Sequence, residues 1–496
     1  MFSTFANSKF EKIMVFSSLT FLYVFLPLVL ILNFLIHKKF KNALLLIASI
    51  IFYAWGGVSY TSLLIISIVF NFFSGKLIAR NLDSTKSRIY LTIGIIFNLG
   101  FLGVFKYGNF IIQNINTLFE STGVSFSIND PGILLPIGIS FYTFQALSYL
   151  IDVFKRKTPV QNNFIDLALY ISLFPQLIAG PIVRYNDIAE QLSERQNTRA
   201  NFVSGIERFV LGLAKKVLIA NQFALLADTA FSIAPQNLST FIAWAGIIAY
   251  SLQIYFDFSG YSDMAIGLGR MFGFKFLENF NFPYIAKSIR EFWQRWHISL
   301  SNWFRDYLYI PLGGNRKGNH RTYFNLLIVF FVTGIWHGAS WNFVAWGMLH
   351  GLFMIIEKLG FDRILKKIWS PFQHIYALFV VVMAWVLFRA DDFNHAWGYY
   401  KAMFSFQSAD LNLDILDLFL NNEIYFVLII ALLSSTRIWV IIYDEAVKLA
   451  SKNRSLLNVT SVAWSILVVA FVLGVMILST NYLVANSYNP FIYFRF

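Results

Sequence analysis

The sequence predicts an all-α polytopic membrane protein, on three observations. Of its 496 residues 57% are hydrophobic and 19% aromatic, while only 13% are charged, about half the charged share of a soluble domain. Apolar runs of the length a bilayer requires, about 20 residues per helix, recur from one end of the chain to the other. Lys and Arg collect in alternate connectors, the positive-inside pattern of a chain that crosses a membrane repeatedly. A soluble fold of this size needs far more polar residues to cover its surface, so the solvent around most of this chain is lipid.

Taken in order, the first run, 14–36, is followed by Lys38, Lys39 and Lys41 and lacks a short apolar region with a small-residue cleavage site, so it reads as a retained span. Further runs lie at 43–57, 61–79, 89–106, 133–153, 209–227, 238–257, 323–357 (broken at Gly334), 372–388, 424–443 and 458–480. Several are short or interrupted, and such segments persist at membrane depth only where neighbouring helices or a water-filled cavity satisfy the freed backbone groups. Lys38–Lys41, then Arg80, Lys86 and Arg88, then Lys155, Arg156 and Lys157 share one side if the 56–60 turn and the polar 109–130 segment share the other. That side is then cytoplasmic and the N-terminus lies outside. The 391–423 stretch carries Asp391, Asp392, Asp410, Asp414, Asp417 and Glu423 against one Lys, and fits the outer side.

Two stretches depart from simple spans. The segment 166–184 is apolar but contains Pro175, Gly180 and Pro181 in FPQLIAGPIVR, which predicts a helix that enters and turns back. Between 258 and 321 nine Lys and Arg residues interleave with Trp293, Trp296 and Trp303, a composition suited to helices lying in the membrane interface. With no internal repeat, one integrated membrane domain over 14–496 is expected, preceded by an extension, 1–13.

Charge and cysteine content narrow the function classes. The net charge of +13 would suggest nucleic acid in a soluble protein; here cytoplasmic loops account for it, and no nucleic-acid partner is expected. The absence of cysteine removes disulfides, thiolate metal sites and a Cys nucleophile together.

An ionisable residue inside an apolar stretch is costly enough to be a candidate for function. His337 follows fifteen uncharged residues and stands beside Gly334 and Gly338 in FFVTGIWHGASWNFVAWGMLHG. A histidine that only bridges helices through a neighbouring carbonyl fits the same spacing. His350, thirteen residues on, can share its cavity or serve as support. His297 lies in EFWQRWHISLSNWFRDYLYIPLGG; a helix over 288–303 would put Trp293 and His297 on one face and pair Glu291 with Arg295, a pattern that a plain interfacial helix also explains. None of the seven histidines forms an HxxxH or HExxH pair, so no tightly bound metal is expected. Gly313, Gly314 and Gly318 in PLGGNRKGNHR form a basic loop that reads equally as a phosphate contact or a turn. In YFDFSGYSDMAIGLGR, Asp257 and Asp263 end a span, where carboxylates can orient an imidazole, bind a cation or cap a helix.

The runs YFDFSGYSDMAIGLGRMFGF, NFPYIAKSIREFWQRWHISLSNWFRDYLYIPLGGNRKG and TGIWHGASWNFVAWGMLHG resemble the membrane-bound O-acyltransferases, specifically their bacterial branch of alginate O-acetylation proteins. MVFSSLTFLYVFLPLVL, FPQLIAGPIVR and YNPFIYFRF fit the same branch, so the resemblance covers nearly the whole chain, with its motif core at 255–351. It implies a ring of about 11–12 transmembrane helices, with re-entrant and interfacial helices, around a central tunnel. It also implies His337 as the catalytic residue and His297 as a second required one. Asn302, Asp306, Arg305, Trp336, His350, Asp257 and Asp263 are then candidate tunnel or supporting residues.

The expected chemistry is transfer of an acyl group from a thioester to a hydroxyl, for which an imidazole of ordinary pKa, about 6.5, serves as general base at neutral pH. The resemblance implies acetyl-CoA as cytoplasmic donor and an extracytoplasmic polysaccharide, alginate-like or peptidoglycan, as acceptor. No cofactor is tightly bound, a periplasmic esterase-like partner can complete the last step, and the location is the bacterial inner membrane. D-alanyl transfer to an envelope polymer is the alternative within the family. A polysaccharide or lipid-linked sugar transporter is the alternative from another class, though it would be expected to show two related halves.

Overall fold

The structure, a computed structural model, describes residues 14–195, 197–406, 413–451, 454–485 and 488–492. The 1–13 extension, Asp410 of the acidic stretch and residues 493–496 of YNPFIYFRF lie outside them. The regular elements among the described residues are all helices, without strands. Seven helices are long and apolar enough to cross a membrane: Val58–Arg80, Thr85–Ser121, Arg199–Ser232, Thr240–Met271, Trp341–Leu365, Ser370–Arg389 and Val462–Ala485. The pair Asn422–Ser434 and Ile438–Leu449, bent by 64°, makes an eighth if counted as one span. The other expected runs form shorter or interrupted helices: 14–36 contains the helical stretch Phe21–Leu35, and 43–57 becomes Lys41–Ala54.

Two compact units make up the chain, Met1–Ile206 with Ala265–Leu277, and Glu207–Met264 with Glu278–Phe496. In the first, helix α1 (Ile139–Phe154) is buried on nearly every side, including its polar residues Ser140, Thr143, Gln145, Ser148 and Asp152. Helices Val58–Arg80 and Thr85–Leu102 are joined by a reciprocal amide pair: Asn98 Nδ2 donates to Asn71 Oδ1 at 2.8 Å and Asn71 Nδ2 to Asn98 Oδ1 at 3.1 Å, the polar glue that membrane helices use in place of hydrophobic attraction. The 166–184 segment is broken at its prolines: α2 (Phe164–Ser172) gives way to one turn at Phe174–Leu177 and a non-helical run to Arg184. Residues 167–183 are buried, and the freed groups find partners: Phe174 N–H donates to Ser49 Oγ (3.1 Å), and the Val183 carbonyl accepts from Tyr170 OH (3.1 Å).

In the second unit, residues 207–214 of α3 (Arg199–Ala214) run on through a π-helical turn, Lys215–Ala220, into Asn221–Ser232, and pack against residues 240–264 of α4 (Thr240–Met271). A Cβ added at Gly212 would lie 2.5 Å from the Gly260 carbonyl oxygen, and one at Gly260 would lie 2.8 Å from that of Gly212. The two backbones therefore touch, which only glycine permits. Asp257 and Asp263 lie inside α4, away from its ends, so neither caps a helix. Asp263 meets Arg208 and Lys215, both at 2.7 Å, and Asp257 meets Lys216 at 2.8 Å. Long-range cations, and no imidazole, occupy these carboxylates.

The 323–357 run forms a helical hairpin, α5 (Asn319–His337) and α6 (Trp341–Ile356). The expected break at Gly334 is not there: α5 passes straight through it and ends at His337, before an extended Gly338. Gly334 serves instead as a packing position. A Cβ on Gly334 would sit 2.3 Å from the Phe343 carbonyl, and one on Gly347 would sit 2.3 Å from that of Phe330. Gly347→Ala is therefore expected to destabilise the protein by about 1–3 kcal/mol through overpacking. Gly100→Ala, where a Cβ meets nothing within 4 Å, should cost nothing and gain helix propensity. Thermal unfolding of the two variants in detergent checks this, and equal midpoints would refute it.

Candidate active site

His297 is placed by a helix that stops where periodicity predicts that it should continue. The expected single helix over 288–303 is divided into α-helical Ile289–Arg295 and Ile298–Phe304, with His297 between them at φ 43° and ψ 53°. Trp293 and His297 are thus not one turn apart on a common face, although Glu291 and Arg295, both within the first helix, do pair at 2.8 Å. A left-handed backbone costs a residue with a Cβ about 1–2 kcal/mol, so something must hold it. That residue is Asn279. Its carbonyl accepts from Ile298 N–H (2.9 Å), and its Oδ1 accepts from Ser299 N–H (3.2 Å) and Ser299 Oγ (2.8 Å) and lies 3.1 Å from His297 Nδ1. Asn279 Nδ2 donates to Ser262 Oγ (3.1 Å), which fixes the orientation of the amide.

With Oδ1 as acceptor, His297 must carry its proton on Nδ1, leaving Nε2 with the lone pair. The ring is fully buried, and burial pushes its pKa down to about 3. His297 is therefore a neutral imidazole at physiological pH. Upstream, the buried Glu357 carboxylate accepts from the Ile289 and Arg290 N–H groups at 2.6 and 3.0 Å and from Tyr376 OH at 3.2 Å. It anchors the start of the segment that leads to His297.

His337 is the last residue of α5, at the turn of the hairpin, where the negative end of the helix dipole faces any positive charge that forms on the ring. The other side of the turn is held by Ser340, whose Oγ accepts from Asn342 N–H (3.2 Å), and by Asn342, whose Nδ2 donates to the Ala390 carbonyl (3.0 Å). The imidazole stands edge-on to three aromatic rings, Trp336 and Trp346 at 4.9 Å and Phe388 at 5.3 Å between centroids. His297 reaches the same cluster: its ring lies 6.0 Å from Trp336 and 4.7 Å from Phe258. The two motif histidines, forty residues apart in sequence, thus share Trp336 as a neighbour.

Beside His337 is a cavity of about 10 Å³, walled by Phe258, Trp296, Trp346, Trp385 and Phe388 together with Ile254 and Ile492. That is close to the least space that admits one water. His350 does not line it. It is fully buried one ring further back, 5.1 Å from Trp346 and 5.3 Å from Trp293. Arg305 and Asp306 pair with each other at 2.8 Å in a π-helical turn, and Asn302 precedes them half-buried; none of the three lines the cavity. Sequence reasoning passed over Asn279 and Ile492. An asparagine in a loop and an isoleucine near an apolar terminus carry no spacing signal, and their partners lie 18 and 235 residues away.

The pattern of MBOAT, the membrane-bound O-acyltransferase family, matches residues 154–394, which contain both motif histidines. The chain is 47% identical over 405 residues, 80% of each chain, to a probable alginate O-acetylase AlgI of Azotobacter vinelandii. It is 37% identical to a peptidoglycan O-acetyltransferase of Helicobacter pylori, over 80% of this chain and 81% of the relative. It is also 28% identical to a teichoic acid D-alanyltransferase of Bacillus subtilis, over 52% of this chain and 70% of the relative. The chain belongs to the membrane-bound O-acyltransferase family, as a multi-pass O-acyltransferase.

Proposed function

We propose that the protein moves an acetyl group from a cytoplasmic thioester, acetyl-CoA, across the bacterial inner membrane for O-acetylation of an extracytoplasmic polysaccharide. The observation that carries this reading is the placement of His337 in the wall of a small aromatic cavity, with His297 packed against Phe258 of the same wall and against Trp336, the neighbour of His337. An acceptor hydroxyl oxygen attacks the thioester carbonyl carbon while His337 takes the hydroxyl proton. The new C–O ester bond forms as the C–S bond breaks, and the proton passes on to the departing thiolate, which leaves as the thiol. General base assistance of this kind supplies about 10²–10⁴-fold. His297, neutral and clamped by Asn279, offers its Nε2 lone pair to orient a hydroxyl.

The acceptor class is supported by the relatives, whose names specify alginate and peptidoglycan O-acetylation at 47% and 37% identity. D-alanyl transfer is supported only at 28% and over about half of the chain. With no cysteine in the chain, an acyl relay on the enzyme would need Ser, Tyr or His, and the route proposed is direct transfer to the acceptor or hand-over to an esterase-like partner on the outer face. Mass spectrometry of envelope and secreted polysaccharides from a deletion strain is expected to show loss of O-acetyl groups with D-alanine content unchanged. Loss of D-alanyl esters with O-acetylation intact would replace this reading with its alternative.

A further inference from the structure

The segment 488–492 is held against the second unit by a contact at each of its residues. Tyr488 OH bonds the Asp228 carboxylate, Asn489 Oδ1 accepts from Asn221 Nδ2 (3.2 Å), and the Pro490 carbonyl accepts from Lys216. The Phe491 ring packs 4.8 Å from Tyr261, and Ile492 N–H donates to Asp257 Oδ2 at 2.8 Å. Asp257 is itself paired with Lys216, and both are buried. Two of these contacts fix the backbone, at the Pro490 carbonyl and the Ile492 N–H, and the residue of the segment that lines the cavity beside His337 is Ile492, itself buried.

We propose that Ile492 sets the acyl-chain length that the enzyme accepts. The inference rests on the reading of the His337 cavity as the place of acyl transfer and names the residue that selects the acyl group there. With its carbonyl carbon at His337, an acetyl group needs space beyond the carbonyl for one methyl, which is about the size of a water. The cavity offers little more than that. Every further methylene must displace a wall. Five of the walls are aromatic rings that also pack against the histidines or against one another, and Ile254 is embedded in α4. Ile492 is the aliphatic wall that comes from the 488–492 segment and has no ring contact with either histidine, so shortening it enlarges the chamber without unpacking the imidazoles.

The test offers purified full-length protein in vesicles an equimolar mixture of acetyl- and butyryl-coenzyme A with an oligosaccharide acceptor, and measures the ester products by mass spectrometry. A product ratio is independent of how much active protein survives purification. Ile492→Ala is expected to raise the butyryl-to-acetyl ratio by about tenfold or more, the discrimination that a methylene-sized change in an apolar pocket supplies. Ile492→Val, which disturbs packing least, is expected to raise it by a smaller factor. An unchanged ratio in these variants while acetyl transfer persists overturns the assignment of Ile492. Full acetyl transfer by His337→Ala overturns the underlying reading of the site.

Discussion

Acyl transfer by His337→Ala is expected to fall by about 10²–10⁴-fold, the contribution of a positioned general base, with the protein still inserted and folded. The ring lies in a cavity wall at the end of α5, and its loss leaves the helix, the Ser340 cap and the bond from Asn342 to Ala390 intact. His337→Gln, closer in volume, keeps the wall filled and should be as inactive as the alanine variant. Thioester consumption and ester formation by purified variants decide the matter; turnover near the wild-type rate in both would refute the role of His337.

His297 needs a different substitution. Its left-handed backbone penalises alanine, whereas asparagine tolerates that region, so His297→Asn separates loss of the imidazole from loss of the turn. Because burial holds the His297 pKa at about 3, this ring does not change charge between about pH 5 and 9, and any limb in the pH–rate profile over that range must persist in His297→Asn. The same burial makes the fold sensitive to acid. Above about pH 6.5 the ring is neutral in both folded and unfolded chains and contributes no pH dependence. As the pH falls from 6.5 toward 3, only the unfolded chain takes up the proton, so stability declines with a limiting slope of about 1.4 kcal/mol per pH unit.

What the sequence disclosed follows from how far each kind of signal reaches. The long apolar runs at 61–79, 372–388 and 458–480 report a property of local composition, and each lies within a long helix. Pro175 and Pro181 break 166–184 because proline acts on its own backbone. The ends of the 288–303 and 323–357 helices were not legible, because neither is decided locally. Asn279 and its bonds to the 297–299 turn interrupt the first, and close packing against the Phe343 carbonyl turns Gly334 from an expected break into a contact. His337 and His297 could be singled out by their neighbours in sequence, but that both pack near Trp336 is a tertiary fact. The partners of Asp257 and Asp263 were hidden for the same reason. Lys216 and Lys215 lie about forty to fifty residues upstream, in a run that hydropathy records only as apolar.

Removing one member of the Lys216–Asp257 pair is expected to cost about 3–5 kcal/mol, because it leaves an uncompensated charge in a dry interior. Lys216 and Asp257 are 4% and 1% exposed at the side chain, whereas Arg208 and Lys215, the partners of Asp263, are 28% and 22% exposed. Water can reach the second cluster when its carboxylate is removed and cannot easily reach the first. Asp263 is itself buried, so Asp263→Asn should also cost stability, but less than Asp257→Asn, because Arg208 and Lys215 stay partly hydrated when their partner is lost. In the double variant Lys216→Met/Asp257→Leu no buried charge remains, so much of the loss should be recovered. Recovery stays incomplete, because the Pro490 carbonyl and the Ile492 N–H lose their partners, and a buried unmade hydrogen bond costs about 1–3 kcal/mol. Thermal unfolding of the full chain in detergent, run as a double-mutant cycle, measures all three quantities. Equal losses at Asp257 and Asp263 would show that burial does not set the strength of these pairs. Equal loss in the single and double variants would show that the cost lies in the backbone of 488–492 and that the charge contributes little.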